Sequence, residues 1–444
     1  MSGNVPDPAD CRMKIAIVGG GWAGMAAAVT AVQAGHAVTL WEASRVLGGR
    51  ARALPAQLPD GSAVVLDNGQ HILIGAYREC LRLMQLVGVD PEQALLRLPL
   101  RMRFPDGGGV AFPPWPAPLD ALAGIATARG WQGRDKLALL LQALRWRLES
   151  FQCDADRSVA DLCRELTPRV RTELIEPLCV SALNTEAADS SGQVFLRVLQ
   201  DAMFSGSGGS DLLLPRIDLS AMFPDAAAHW LRQRGATVHV GSRVQQLAHI
   251  DGRWHVGGEP FDRVLLATSA SEALHLLQGS APAWPQPLQA STAHWIALAR
   301  TLKHMPIATV YAWAAKARLD APMLALRAAP MAATPMPAQF VFDRGQLGGP
   351  AGLLAFVVSA SRGTRDDLQA QVLQQARAQL GLQLQAVQSV VEKRATIACT
   401  PGLKRPPQEI ADGLLACADY VDGPYPSTLE GAVRSAIGAI GSIR

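Results

Sequence analysis

Gly19-Gly20-Gly21-Trp22-Ala23-Gly24 has the G-x-G-x-x-G spacing, and Glu42 follows at the end of the next apolar run. In such a loop Gly19 permits a tight turn, Gly21 lets backbone approach a pyrophosphate, and Gly24 lets helix and strand pack closely. A helix starting there turns unpaired N–H groups and a positive dipole end toward phosphate. Glu42 is placed to accept hydrogen bonds from ribose hydroxyls. Gly48-Gly49-Arg50 comes soon after; two glycines let the chain run close along an extended cofactor, and Arg50 can pair with its pyrophosphate. Near the other end, Asp419-Tyr420 precedes Gly423-Pro424-Tyr425-Pro426 and then Ser427-Thr428-Leu429-Glu430. Ser427 and Glu430 read as a capping box opening a helix that buries Leu429, Val433, Ile437 and Ile440. Three side chains stand near these motifs as candidates for proton chemistry: Asp67, His71 and Tyr420.

These residues need a scaffold. Lys14–Val18 reads as a buried strand, Ala23–Gln33 as an Ala-rich helix stopped by Gly35, and Ala37–Trp41 as a second strand. That is the first half of a doubly wound α/β sheet. Tyr77–Val87 has the period of an amphipathic helix. The stretch from about 91 to 215 reads as helix-rich. Strand character returns at Thr237–Val240, Val244–Ile250, Arg253–Val256 and Arg263–Ala267, with Asp251-Gly252 a hairpin turn. The nucleotide-binding pattern is left after Ser271 and rejoined near Ile410. The expected architecture is α/β and discontinuous: a Rossmann-like domain from 13–90, 216–272 and 396–444, and an inserted mixed α+β substrate domain from 91–215 and 273–395.

The 444 residues, 49% hydrophobic and 18% charged, supply ample core and argue against disorder. A net charge of +3 without a polybasic run gives no support for nucleic-acid binding. Seven cysteines, none in CxxC spacing, suggest neither a disulfide framework nor a zinc site, and fit a reducing, cytoplasmic setting. Residues 1–12 read as a disordered extension without the basic start and apolar core of a secretory signal. Ile15–Trp41 and Ala273–Ala299 hold no Asp, Glu, Lys or Arg, but glycines break the first and prolines the second, so neither is expected to span a bilayer. Lys136–Trp146 is leucine-rich yet carries Lys136 and Arg145. It reads first as a buried helix, and alternatively as a segment dipping into a membrane interface.

The glycine fingerprint, the acid and the R-x-x-G-G-R order of Arg45–Arg50 resemble the flavin amine oxidases, protoporphyrinogen oxidases and phytoene desaturases. This resemblance implies non-covalently held FAD, with the C-terminal helix pointing its N-terminus at the flavin pyrimidine edge. It implies cofactor contacts from Gly19, Gly21, Ala23, Gly24, Glu42, Ala43, Gly48, Gly49, Arg50, Gly69, Val244, Asp419, Thr428 and Leu429. Ala418 and Ala436 stand where those families usually carry glycine. Leu66–Tyr77, Pro177–Cys179 with Ala182–Thr185, Ser210–Arg216 and Tyr425–Arg434 together look like the squalene-associated FAD-dependent desaturases of bacterial hopanoid biosynthesis, the hydroxysqualene dehydroxylases. That resemblance implies reductive removal of the hydroxyl of hydroxysqualene. It also implies a hydrophobic C30 isoprenoid substrate, neighbouring enzymes of squalene and hopanoid synthesis as partners, and peripheral contact with the inner face of the cytoplasmic membrane. It places Asp67 and His71 in a loop near the isoalloxazine and Tyr420 before the flavin-facing helix. The alternatives are a polyene desaturase or amine-type oxidase on the same fold, or a non-redox isoprenoid-binding protein.

Overall fold

The computed structural model describes residues 12–204, 208–329 and 331–443; the expected N-terminal extension lies outside these apart from Arg12. The opening unit forms as its sequence dictates. Lys14–Val18 and Ala37–Trp41 are parallel strands, and the helix between them spans Trp22–Gln33. Ile15, Ile17 and Leu40 are completely buried, which is why these strands read as continuous apolar runs rather than alternating ones.

These strands belong to a six-stranded sheet of order Thr237–His239, Ala37–Trp41, Lys14–Val18, Arg263–Leu266, Leu414–Ala416, Glu409–Ala411. All neighbours are parallel except the last pair. Beginning, middle and end of the chain thus share one sheet, the discontinuous Rossmann-like arrangement. Against one face lies Trp22–Gln33, itself packed on the C-terminal helix, Leu429–Gly441, through Ala27, Ala28 and Met25 on one side and Val433, Ala436 and Ile440 on the other. Asp251 and Gly252 both have positive φ, 49° and 77°, and join Leu247–Ile250 to Arg253–Val256 as a tight hairpin. The first of these strands starts at Leu247 rather than Val244, and Val244 and Gln245 line a cavity instead of pairing.

The first insertion is helix-rich as read, but it also carries strands that the sequence reading did not include. Leu95–Leu98, Arg101–Arg103 and Gly109–Ala111 are short strands, the first paired with Leu212–Pro215. At three or four residues each, they are too short for a period-2 pattern to register. Helices Leu119–Ala126, Gly133–Leu148, Glu176–Leu183 and Gly192–Phe204 follow. The second insertion is an antiparallel sheet of order Met323–Ala325, Phe340–Asp343, Leu353–Ser359, His304–Trp313, Gln385–Ile397. Alternation sorts its two faces: Val341, Leu354, Phe356 and Val358 meet the helix Arg365–Leu380, whereas Phe340, Phe342 and Tyr311 face the first insertion. Asn184, in the left-handed conformation (φ 48°), joins the insertions: its amide donates to Thr396 Oγ1 at 2.9 Å and its carbonyl accepts from the Ala360 N–H at 2.6 Å.

One glycine decides whether helix and strand can meet. A Cβ on Gly24 would lie 1.8 Å from the Gly19 carbonyl oxygen, so backbone would have to move. Gly24→Ala is expected to cost about 1–3 kcal/mol as an overpacking substitution and to strip the protein of cofactor. Thermal unfolding and the absorbance-to-protein ratio check this; an unchanged melting temperature with full cofactor would contradict the close approach.

Candidate functional site

The glycine loop, the acid and the C-terminal segment converge on one cavity of about 1230 Å³. Its polar end is backbone. Gly48 N–H donates to Gly20 O at 2.9 Å, and Gly21 and Gly48 form an isolated bridge that lays the two glycine segments side by side. A Cβ on Gly21 would meet nothing nearer than 3.9 Å, so its missing side chain opens onto the cavity rather than serving packing. This is a cradle a Cβ would fill, placed at the N-terminus of Trp22–Gln33, and it fits a pyrophosphate.

Glu42 holds this cradle in shape. One carboxylate oxygen accepts the Gly20 N–H and the other the Ser44 N–H, each at 2.7 Å. A carboxylate oxygen has two lone pairs, so both can also accept from ribose hydroxyls. Arg50 is committed differently from expectation. Its guanidinium pairs with Asp419 at 2.6 Å and donates to Ala395 O at 2.5 Å, bracing the floor of the site while lining the cavity.

The C-terminal helix corrects the capping reading. Its N-cap is Thr428, whose hydroxyl accepts the Gly431 N–H at 2.9 Å. Ser427, at φ 59°, instead accepts the Ile397 N–H. Glu430 is completely buried and serves another helix: its oxygens accept the N–H groups of Glu79 and Cys80 and pair with Arg434 at 2.7 Å. The sequence places Ser427 and Glu430 three apart, but the start of the helix is one residue later because Ser427 leaves the helical conformation. Thr428 and Leu429 still line the cavity with the helix N-terminus behind them.

Among the remaining expected contacts, Gly19, Ala23, Ala43, Gly49, Gly69, Val244 and Asp419 also line the cavity, and Gly24 does not. Of the three candidates for proton chemistry, only His71 reaches it. Its Nδ1 lies 2.8 Å from Gly69 O, which can only accept, so Nδ1 carries the hydrogen and Nε2 is left as an acceptor. Burial lowers the His71 pKa and favours that neutral form. Asp67 faces away, accepting the Leu219 N–H at 2.8 Å. Tyr420 is enclosed beside Trp295, and its hydroxyl finds no partner among the described residues. Asp201, which no motif announced, does line the cavity; its Oδ2 is buried without a hydrogen-bond partner among the described residues, and the Tyr425 phenol sits against it. An isolated acid on an amphipathic helix gives no sequence signal. Cys417 is completely buried in the sheet–helix core, its thiol pushed up to about 12 by burial, and is not part of the cavity wall.

Away from the cradle the wall turns apolar. Phe112, Ile125, Leu140, Leu174, Leu178 and Val198 from the first insertion face Ile307, Phe340 and Val357 from the second. The site is therefore one space with a dinucleotide end and a hydrocarbon end.

The model of the family described as "Flavin containing amine oxidoreductase" matches residues 22–439. The chain belongs to that family. It is an FAD-dependent oxidoreductase, and the residues of the cradle fit that cofactor. A hydroxysqualene dehydroxylase of Zymomonas mobilis is 28% identical over 248 residues, 53% of this chain; the match spans 55% of that relative's own length. A zeta-carotene desaturase of Synechocystis is 42% identical over 83 residues, 19% of this chain and 16% of that protein. Among solved structures, an oxidoreductase from Methanosarcina mazei superposes with TM-score 0.71 at 16% identity, covering 97% of this chain and 100% of that one, a likeness of fold.

Two measurements follow. Glu42→Ala removes charge-assisted hydrogen bonds and should weaken FAD binding by about 1.5–3 kcal/mol, read as the FAD dissociation constant; an unchanged constant would show that Glu42 has no part in the cradle. Burial raises the Asp67 carboxyl from 3.8 to about 6, ahead of the lowering by the Leu219 N–H. The folded state then holds a proton that the unfolded chain releases, so this group's contribution to stability falls as pH rises from about 3.8 to about 6, and is level above that. Asp67→Asn should flatten that segment of the stability–pH curve by up to about 3 kcal/mol without lowering turnover. A loss of turnover with unchanged stability would give Asp67 a chemical role instead.

Proposed function

We propose that the protein reduces hydroxysqualene to squalene. The observation that carries this reading is the continuity of the FAD cradle with a long apolar compartment, which suits a hydrocarbon chain held beside a flavin and does not suit a small polar amine. The quoted sequence stretches and the similarity to the Zymomonas enzyme support the choice of substrate. The reaction balances as R–OH plus a hydride and a proton giving R–H and water. Reduced FAD, when bound, supplies the hydride.

The chain's own tasks follow. The hydroxyl is allylic, so its departure leaves a delocalised cation, and the apolar walls must keep water from it. Phe112, Leu140, Leu174 and Phe340 do so. The departing oxygen needs a proton. Neutral His71 offers an acceptor at Nε2 and can orient the hydroxyl, and the hydrogen-bonded pair of Asp201 and Tyr425 on the same wall is where a proton can be held for delivery. Thr428 and Leu429 place helix N–H groups where they favour negative charge on the cofactor. FAD is held without a covalent bond, so acid precipitation should release it.

A second reading, polyene desaturation, is favoured by the carotene desaturase similarity, which is confined to 83 residues. Anaerobic enzyme supplied with reduced flavin and hydroxysqualene should yield squalene, and Asp201→Asn should lower kcat by about 100-fold or more with FAD retained. Absence of squalene, together with desaturation of a polyene when an acceptor is supplied, would replace the first reading by the second. Full turnover in the Asp201 variant would remove the proton assignment alone.

A further inference from the structure

The helix Gly133–Leu148 is not the fully buried element its sequence suggests. Leu139, Gln142 and Trp146 are buried, but Leu137, Leu141, Leu144 and Leu148 are exposed and form one stripe, spaced by four, three and four residues. Beside it, Trp115, Leu119 and Leu122 are exposed on and before the neighbouring helix Leu119–Ala126. Seven of the twelve large hydrophobics exposed among the described residues fall in this one stretch, so the patch is not the ordinary scatter of surface leucines.

Two further observations say what covers it. Leu122 and Leu144 are both exposed and part of the cavity wall, so the hydrocarbon end of the cavity opens through the patch. The charged residues of the same stretch are one-sided. Arg129, Arg134, Arg145 and Arg147 are exposed and Lys136 half-exposed, whereas Asp120 and Asp135 are buried, which leaves Glu149 as the exposed acid. Asp135 is consumed in a capping box with Gln132 and a bond from the Thr167 hydroxyl. Arg145 is paired outward with Glu165 at 2.9 Å. An apolar stripe rimmed by cations complements an anionic lipid surface. A second copy of the chain would bring the same cations face to face across a symmetric contact.

We infer that the paired helices Leu119–Ala126 and Gly133–Leu148 dock on an anionic lipid bilayer, with the cavity mouth at Leu122 and Leu144 opening into it. The leucines sit among the lipid chains, the basic side chains lie at headgroup level, and an insoluble hydrocarbon passes from bilayer to cavity without crossing water. No helix of the described residues is long and apolar enough to span a membrane. Docking stands without the substrate assignment; only what passes through the mouth rests on it.

Flotation of FAD-loaded protein with vesicles tests this. Wild type is expected to float with phosphatidylcholine vesicles containing phosphatidylglycerol, and less with pure phosphatidylcholine or at high salt. Leu137→Glu with Leu141→Glu touches neither the cavity wall nor the cradle. It should keep its FAD content and melting temperature and lose vesicle binding by about tenfold or more. Leu148→Gln, at the most exposed of the seven positions (77%), repeats the test with less perturbation and should weaken binding in the same direction. Wild type that stays at the bottom of the gradient, or variants that float equally, would overturn the proposal. So would a concentration-dependent dimer of wild type that the variants abolish while neither binds vesicles. Vesicle binding by an enzyme that makes no squalene would keep the docking surface and reject the substrate instead.

Discussion

The ion pair between Arg50 and Asp419 closes the molecule. Residues 369 apart in sequence meet at 2.6 Å, one from the segment after the first strand pair and one from the end of the last parallel strand. The contact ties the start of the nucleotide-binding part to its end, with both insertions in the sequence between. Arg50 also donates to Ala395 O at the end of the five-stranded sheet, so a single guanidinium touches both the cofactor floor and the insertion. With Asp419 largely buried, loss of Arg50 would leave a carboxylate without its cation in a partly desolvated site, which costs more than the pair contributes.

The two ends of the cavity follow from opposite demands on the same chain. The dinucleotide end needs backbone exposed without side chains, and Gly19, Gly21, Gly48 and Gly49 provide it. The hydrocarbon end needs side chains without hydrogen-bonding groups, and the two insertions provide those from a helical wall and a sheet face. One cavity therefore offers a polar end that would hold a cofactor's pyrophosphate and an apolar end that would hold hydrocarbon. Groups able to move protons on the cavity wall include His71, Tyr77, Asp201 and Tyr425.

Local patterns carried the nucleotide half of the fold. The strands Lys14–Val18 and Ala37–Trp41 and the Asp251-Gly252 turn are written in runs and dipeptides whose physics is contained within a few residues. What the sequence could not display was direction. Asp67 and Tyr420 stand close in sequence to cavity residues, yet a strand alternates faces and a loop turns, so both side chains point elsewhere. Glu430 has the spacing of a capping acid but is drawn to the N-terminus of Arg78–Leu86, a tertiary partner 350 residues away that no local rule contains. Asp201 is the reverse case, an acid with no motif around it that tertiary packing brings to the cavity.

In the proposed reaction, bound FAD and a hydroxylated hydrocarbon share one cavity and exchange a hydride directly. A single-turnover experiment tests it most directly: enzyme-bound FAD is reduced, the reductant removed under anaerobic conditions, and hydroxysqualene added while flavin absorbance and squalene are followed together. The flavin is expected to reoxidise at the rate at which squalene appears, one squalene per flavin. Flavin that stays reduced in the presence of hydroxysqualene, or reoxidises without forming squalene, would contradict it.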